Sequence, residues 1–571
     1  MKRVNNKLLL AAAIAALLAG CDSGGINIEP TTVDNSVDNS TNGGGNTGDE
    51  DNPCAFYEKA SQTVQGEYDG TNCTYPASFV DSGNPLTVDL FIPALENDGV
   101  HIFEGSLFVG ENFDDDATMS AAGIAEGGDG PKLTIEAGST IAFPDNTKFA
   151  VINRGSQIFA VGTQDAPITF TSTTDAVDHT VAFDEVQQWG GLVINGFGVT
   201  NKCAYTGSLD EGTLALAGEC HVLAEGAAGK DQSNYGGDNN EDNSGQLEYF
   251  IVKHTGAEVA NGDELNGITF SAVGSETIVR NLQAYSTYDD GIEMFGGAVS
   301  FENYVALYVR DDSIDIDEGW RGSITNALVI QAEADGNHCI ESDGIGSYST
   351  DSADDIQRNQ DVIAAGINSR PKIDGLTCLI SAQAAGTHDP GAGWRFREGI
   401  FPQITNSMVI ASFSADENGA EGSNYCLRLE SDESLVEADS GTAIRMESNI
   451  FACEDRTKGG PMPGGQTLEE WAVASGSVFA DITGEVDPTA NVSTQLQILE
   501  GTPSYFSIDA GSMVVNDAPI AITPVAGATD ESDEPAARAY FGALSQGDLD
   551  WTLDWTYGLH DGNRAEALWF E

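Results

Sequence analysis

Asp289-Asp-Gly-Ile-Glu-Met-Phe295 is followed by Asp311-Asp-Ser-Ile-Asp-Ile-Asp317, 22 residues later, and by Asn337-His-Cys-Ile-Glu-Ser-Asp343, 26 residues beyond that. Asn424-Tyr-Cys-Leu-Arg-Leu-Glu430 is a later copy of the same phrase. Between the copies runs a second phrase, Ile278-Val-Arg-Asn-Leu282, Ile324-Thr-Asn-Ala-Leu-Val-Ile330 and Ile404-Thr-Asn-Ser-Met-Val-Ile410. A repeat of twenty-odd residues that carries short β-rich runs is the mark of a coil stacking on itself, in which each rung buries its Ile, Val and Leu against the next. Asparagine tolerates the left-handed backbone that corners need. The repeat therefore predicts an all-β chain, a right-handed parallel β-helix.

The same texture extends outward. Lys132-Leu-Thr-Ile135, Lys148-Phe-Ala-Val-Ile152, Ser156-Gln-Ile-Phe-Ala-Val161 and Gly190-Gly-Leu-Val-Ile-Asn195 are short strands separated by Gly, Asn or Asp corners, with no helical period between them. The β-helix is assigned to residues 126–456, behind an N-terminal cap or small subdomain over 54–125. Residues 457–571 read as looser C-terminal coils and a cap, with a capping residue at Thr467 that starts a helical turn or two. A solenoid needs caps to shield its open ends.

The front of the chain is different. Lys2, Arg3 and Lys7 precede a run of Leu, Ala and Ile from Leu8 to Leu18, and Leu18-Ala-Gly-Cys21 closes it. This is a secretory leader over residues 1–20, and its end resembles a bacterial lipobox. That resemblance implies cleavage before Cys21 and its modification with fatty acyl chains such as palmitate, which anchor the chain to a lipid bilayer. Residues 21–53 hold the lipidated cysteine and a linker of Asn, Asp, Gly, Ser and Thr with little to bury, a disordered tether. No later stretch is long and apolar enough to span a bilayer.

Of 571 residues, 90 are Asp or Glu and 24 are Lys or Arg, a formal net charge of −66. Such a chain does not bind nucleic acid, whose phosphates require basic contacts. The acids read either as a surface kept soluble in salt or as ligands for calcium, a hard cation that takes oxygen donors. Nine cysteines are present. With Cys21 set aside, the other eight fall into neighbours along an exported chain: Cys54 with Cys73, Cys203 with Cys220, Cys339 with Cys378, and Cys426 with Cys453.

Aligning the recurrent phrases puts Glu293, Asp315, Glu341 and Arg428 in one column, and Phe295, Asp317, Asp343 and Glu430 in the next column on the same face. Neighbouring rungs lie about 4.8 Å apart, so stacked carboxylates crowd and a cation relieves them. Asp311, Asp312, Asp315, Asp317, Glu341 and Asp343 are the calcium candidates. Asp238-Asn-Asn-Glu-Asp-Asn-Ser-Gly245 is not an EF-hand, because its sixth position is Asn243 and its twelfth Tyr249.

Trp189-Gly-Gly-Leu-Val-Ile-Asn-Gly196, Tyr235-Gly-Gly-Asp-Asn-Asn-Glu-Asp-Asn-Ser-Gly245, Asn266-Gly-Ile-Thr-Phe270 and the phrase from Asp289 resemble a family of exported bacterial lipoproteins with a pectin-lyase-like β-helix. Tyr540-Phe-Gly-Ala543 and Asp550-Trp-Thr-Leu-Asp-Trp-Thr556 resemble its C-terminal end. The resemblance implies the fold and an envelope location. In pectin-lyase-like enzymes, stacked acids hold calcium against a uronate carboxylate and a basic residue removes the α-proton. By that likeness Arg321, Arg395, Arg397 and Arg428 are the candidate bases, with Trp320 and Trp394 as sugar platforms. Three functions stay open: a rigid acidic face that binds a glycan, a surface partner or a neighbouring outer-membrane protein; a calcium-dependent polysaccharide lyase or hydrolase; and a structural, adhesin-like surface protein. An outer-membrane anchor fits the acidic surface, whereas Asp22 after the lipidated cysteine resembles an inner-membrane retention signal that would leave the protein facing the periplasm.

Overall fold

The computed structural model describes residues 52–568 except 226–232, 261–262, 333–335, 381–390, 412–424, 454, 483–512, 516–517, 520, 533–534, 546–549 and 565. The leader, Cys21 and the linker up to residue 51 lie outside the described residues.

Ten short strands stack in strict chain order into one parallel sheet. They are β1 (Leu107–Val109), β2 (Ala150–Ile152), β3 (Leu192–Asn195), β4 (Ile268–Ser271), β5 (Ile292–Phe295), β6 (Ile314–Asp317), β7 (His338–Asp343), β8 (Ala392–Arg397), β9 (Leu427–Leu429) and β10 (Thr457–Gly459). The register is in phase with the repeats read from the sequence: Ile268 pairs with Ile292, and Ile292 with Ile314. Parallel pairing without a crossover helix, rung after rung, makes this a parallel β-helix, as the sequence predicts.

The remaining wall is built from longer strands, Gly245–Lys253, Ile278–Tyr285, Ser300–Leu307, Ser323–Ile330 and Lys372–Ile380, also parallel and in order. Each turns a corner at one residue with positive φ: Tyr249, Asn281, Asn303, Asn326 and Gly375, followed by Asn406 and Ser448 on later coils. The asparagines repay their strained backbone by bonding along the axis. Asn326 Nδ2 donates to Asn303 Oδ1, and Asn303 Nδ2 to Asn281 Oδ1, each at 3.0 Å. The ladder breaks at Gly375 for a steric reason. The Arg538 guanidinium lies where a Cβ at this positive-φ corner would stand, so a side chain there would have to displace it.

The lumen is lined by apolar side chains, and aromatic rings stack within it. Tyr75 stacks on Phe103 and Phe143 on Trp189, with centroids 4.5 and 4.9 Å apart. Parallel pairing already begins at Cys73–Tyr75, which lies on Val100–Phe103, inside the segment read as a cap. The runs there are three or four residues long and carry no recurring phrase, so the repeat is not visible in them. At the other end the helix Leu468–Ala474 starts with a capping box between Thr467 and Glu470. Its Leu468, Trp471 and Ala472 enter the luminal core and close it.

All four cysteine neighbours are disulfides: Cys54–Cys73, Cys203–Cys220, Cys339–Cys378 and Cys426–Cys453. Cys339 and Cys378 are fully buried, and they tie β7 across the lumen to Lys372–Ile380. Replacing both with serine opens a loop of 39 residues and puts two hydroxyls into an apolar interior. We expect a loss of about 2–4 kcal/mol, read as a lowered midpoint of chemical unfolding.

The C-terminal segment runs back over the outside of the coils. Ser448 Oγ donates to Thr523 O at 2.5 Å, Val525 N to Asn406 Oδ1 at 2.8 Å, and Ala543 N to Thr377 Oγ1 at 2.8 Å. Further toward the N-terminal coils, Gln283 makes two 2.7 Å hydrogen bonds with the Tyr557 backbone. This strap covers an outer apolar stripe that includes Ile251, Tyr285, Leu307, Leu328, Ile330 and Ile410.

Candidate functional site

Side chains alternate along each rung. In β5 and β6, Ile292, Met294, Ile314 and Ile316 face the lumen, which sends Glu293, Asp315 and Asp317 outward. The paired registers define one outward column: Phe108, Val151, Val193, Thr269, Glu293, Asp315, Glu341, Arg395, Arg428 and Lys458. From β1 to β10 this face reads apolar, then acidic, then basic.

The apolar third is covered. Phe108, Val151, Val193 and Phe295 pack with Tyr235 from the long excursion between β3 and β4. That excursion is pinned to the corner after β6, where Glu318 accepts hydrogen bonds from Tyr235 Oη at 2.7 Å and Thr200 Oγ1 at 2.8 Å and pairs with Lys202 at 3.1 Å. The loop that invited an EF-hand reading belongs to it. Asp242 there is buried and accepts the backbone N–H groups of Gly127 and Phe197, a structural turn.

The acidic third forms three overlapping groups. Asp290, Glu293 and Asp315 bring one oxygen each within 4.8 Å of one another, as do Asp289, Asp290 and Asp311. Asp312, His338 and Glu341 form the third group. Asp290, Glu293 and Asp312 are buried. Burial first, and then mutual repulsion, push Asp289, Asp290, Glu293, Asp312, Asp315 and Asp317 well above the usual carboxylate range. His338 bridges two neighbours: Nδ1 lies 2.9 Å from Asp312 Oδ1 and Nε2 lies 2.7 Å from Tyr425 Oη. Burial pushes its pKa down to about 4, so the ring is neutral.

The arginines of the basic third are already paired. Arg395 bonds Glu341 at 2.5 Å and Glu430 at 3.3 Å. Arg397 meets Glu341 at 3.3 Å and grips Asp343 with Nε and NH2. Arg428 bonds Glu430. Arg397 and Arg428 are held above the ordinary guanidinium value, because their carboxylate and hydroxyl partners outweigh burial. Arg321 is elsewhere, paired at 2.8 Å with Asp210 of the Cys203–Cys220 loop, which also takes Arg370 at 2.9 Å.

The six acids read as metal candidates thus divide. Asp311, Asp312, Asp315 and Asp317 sit in the acidic third; Glu341 shares a group there with Asp312 and His338 but is also paired with Arg395 and Arg397, and Asp343 is paired with Arg397. Asp289, Asp290, Glu293 and His338 were outside the candidate set, although a signal existed: Asp289-Asp290 aligns with Asp311-Asp312, and Glu293 stands in the aligned column. Trp320 and Trp394 are fully buried among luminal side chains and present no platform for a sugar ring. Among the described residues no helix is long and apolar enough to cross a membrane.

Residues 113–424, more than half of the 571, match the family described as the pectate-lyase like beta helix domain. The chain belongs to this family. No curated protein and no solved structure matches it. For a member of the family, the acidic rungs offer donors that suit a hard cation: oxygen only in two of the three groups, and close together.

Proposed function

We propose that this protein is an envelope lipoprotein whose acidic rungs hold calcium and, through it, capture an acidic polysaccharide. The supporting observation is the pair of all-oxygen groups around Asp290, which leave several buried or half-buried carboxylates crowded on adjacent rungs. Asp289, Asp290, Glu293, Asp311 and Asp315 would hold the ion. Calcium bound there would present open coordination positions to a carboxylate of the glycan. The anchor is acylated Cys21, and the acidic body behind a polar linker suits the outer membrane.

Binding is favoured over elimination by the state of the arginines. A base that removes a proton needs a free lone pair, and Arg395, Arg397 and Arg428 each spend their N–H groups on carboxylates. We expect the unlipidated Cys21→Ser protein, incubated with calcium and a panel of polyuronates, to retain polymer on a pull-down and to produce no unsaturated-uronate absorbance. Absorbance that grows with time would replace the binding reading with the lyase one, and retention independent of calcium would remove the ion from it.

A further inference from the structure

We propose that Lys253 and Asp175 become joined by an intramolecular amide bond between Nζ and Cγ. Asp175 lies in the short helix Thr173–Ala176 that follows the strand Ile168–Ser172, and Lys253 ends the neighbouring strand Gly245–Lys253. The two strands pair directly, Phe170 against Val252. Lys253 Nζ is 2.7 Å from Asp175 Oδ2, with side chains only 10 % and 13 % exposed.

The surroundings are those of a reaction site as much as of an ion pair. Tyr557 of the strap lies over the amine, its ring centroid 3.8 Å from Nζ, and the Gln283 hydrogen bonds fix its backbone. The docked strap therefore leaves the pair only slightly exposed to water. Away from water an ammonium and a carboxylate lose their hydration, which favours transfer of one proton to give a neutral amine and a neutral acid. Burial lowers the lysine pKa in the same direction. Burial is outweighed at Asp175, where the Lys253 ammonium and the Thr171 hydroxyl hold the carboxyl below the usual carboxylate range, so the ion pair is the resting state and the neutral pair the reacting one. His254 Nδ1 is 2.5 Å from the Glu185 carbonyl oxygen. A carbonyl only accepts, so Nδ1 carries the hydrogen, and the lone pair of Nε2 faces Asp175 Oδ1 at 3.8 Å. The Thr171 hydroxyl donates to Oδ2 at 2.6 Å and polarises the carboxyl group.

The step balances without an oxidant. After the proton passes from ammonium to carboxylate, the amine lone pair attacks Cγ and forms the C–N bond. His254 Nε2 takes one proton from Nζ and returns it to the departing hydroxyl, the C–O bond breaks, and one water leaves. A rigid, preformed contact supplies the high effective concentration that amide formation needs. The product ties a corner of one coil to the next and adds a reduction-proof crosslink to the disulfides.

Peptide mapping of the full-length protein, reduced, alkylated and digested with trypsin, decides the matter. Trypsin cannot cut after an acylated lysine. The expected product is peptide 155–202 joined to 231–280 and one water lighter than their sum. Recovery of separate peptides 155–202, 231–253 and 254–280 from folded protein would overturn the proposal. The Lys253→Arg variant keeps the ion pair and must give no joined product, and a joined species persisting there would also overturn it.

Discussion

Deleting residues 521–571 is expected to abolish the soluble monomer. The strap contributes Leu544, Trp555 and Leu559 as buried side chains and covers Tyr285, Leu307, Leu328, Ile330 and Ile410 on the coils. Each such side chain is worth about 1.5–3 kcal/mol when removed from water, so together they reach the whole stability of an ordinary domain, about 5–15 kcal/mol. The strap also neutralises a buried charge. Arg538 pairs at 2.7 Å with Asp374, which accepts from Thr405 and Asn406 as well, each at 2.7 Å. Loss of the arginine leaves Asp374 buried without its cation, a cost of about 3–5 kcal/mol. The uncovered stripe would be apolar β-sheet, a surface prone to association. Size-exclusion chromatography of the truncated chain should show aggregate. A truncated monomer with unchanged melting temperature would mean that the strap contributes nothing.

The second large effect is calcium-dependent stability. A ligand that binds only the folded state at a hundred to a thousand times its dissociation constant adds about 3–4 kcal/mol. Wild-type protein should melt several degrees higher in calcium than in chelator, and Asp290→Asn with Asp315→Asn should remove the difference. Acid should act in the opposite sense on the two states. Asp290, Glu293, Asp312 and Asp315 have their folded pKa values raised, so the ion-free fold binds protons more tightly than the unfolded chain. Its penalty is absent below the unfolded carboxylate range and grows as pH rises through the raised values. Chelated protein should therefore gain stability on mild acidification, while calcium-loaded protein should lose its bound ion and its advantage. Differential scanning calorimetry at several pH values separates the two trends, and parallel trends would count against an ion on these rungs.

The β-helix was legible because its repeat is local. Asp-Asp-x-Ile phrases 22 residues apart fix both the coil length and the outward column, and the corner asparagines mark where each longer strand turns. The arginine pairing was harder to see. Ala392-Gly-Trp-Arg-Phe-Arg397 carries no Asp-Asp or Asn lead, so the alignment passes from Glu341 and Asp343 straight to Arg428 and Glu430 and misses Arg395 and Arg397, which stand beside Glu341 and Asp343. Those two side chains turn Glu341 and Asp343 from candidate ligands into ion-pair partners. The strap was illegible for a different reason. Its contacts span long separations, as between Arg538 and Asp374 or Tyr557 and Gln283, and no periodicity in residues 521–571 reveals which coils they meet. The Trp residues show where the likeness misleads: the enzyme resemblance implies exposed sugar platforms, yet Trp320 and Trp394 are buried completely among luminal side chains.

The acidic rungs are proposed to hold an ion. Isothermal titration of calcium into chelator-stripped, unlipidated wild-type protein tests it most directly. Saturable binding that disappears in the Asp290→Asn, Asp315→Asn double variant is the predicted result. No heat above dilution, or equal binding by the double variant, would contradict it.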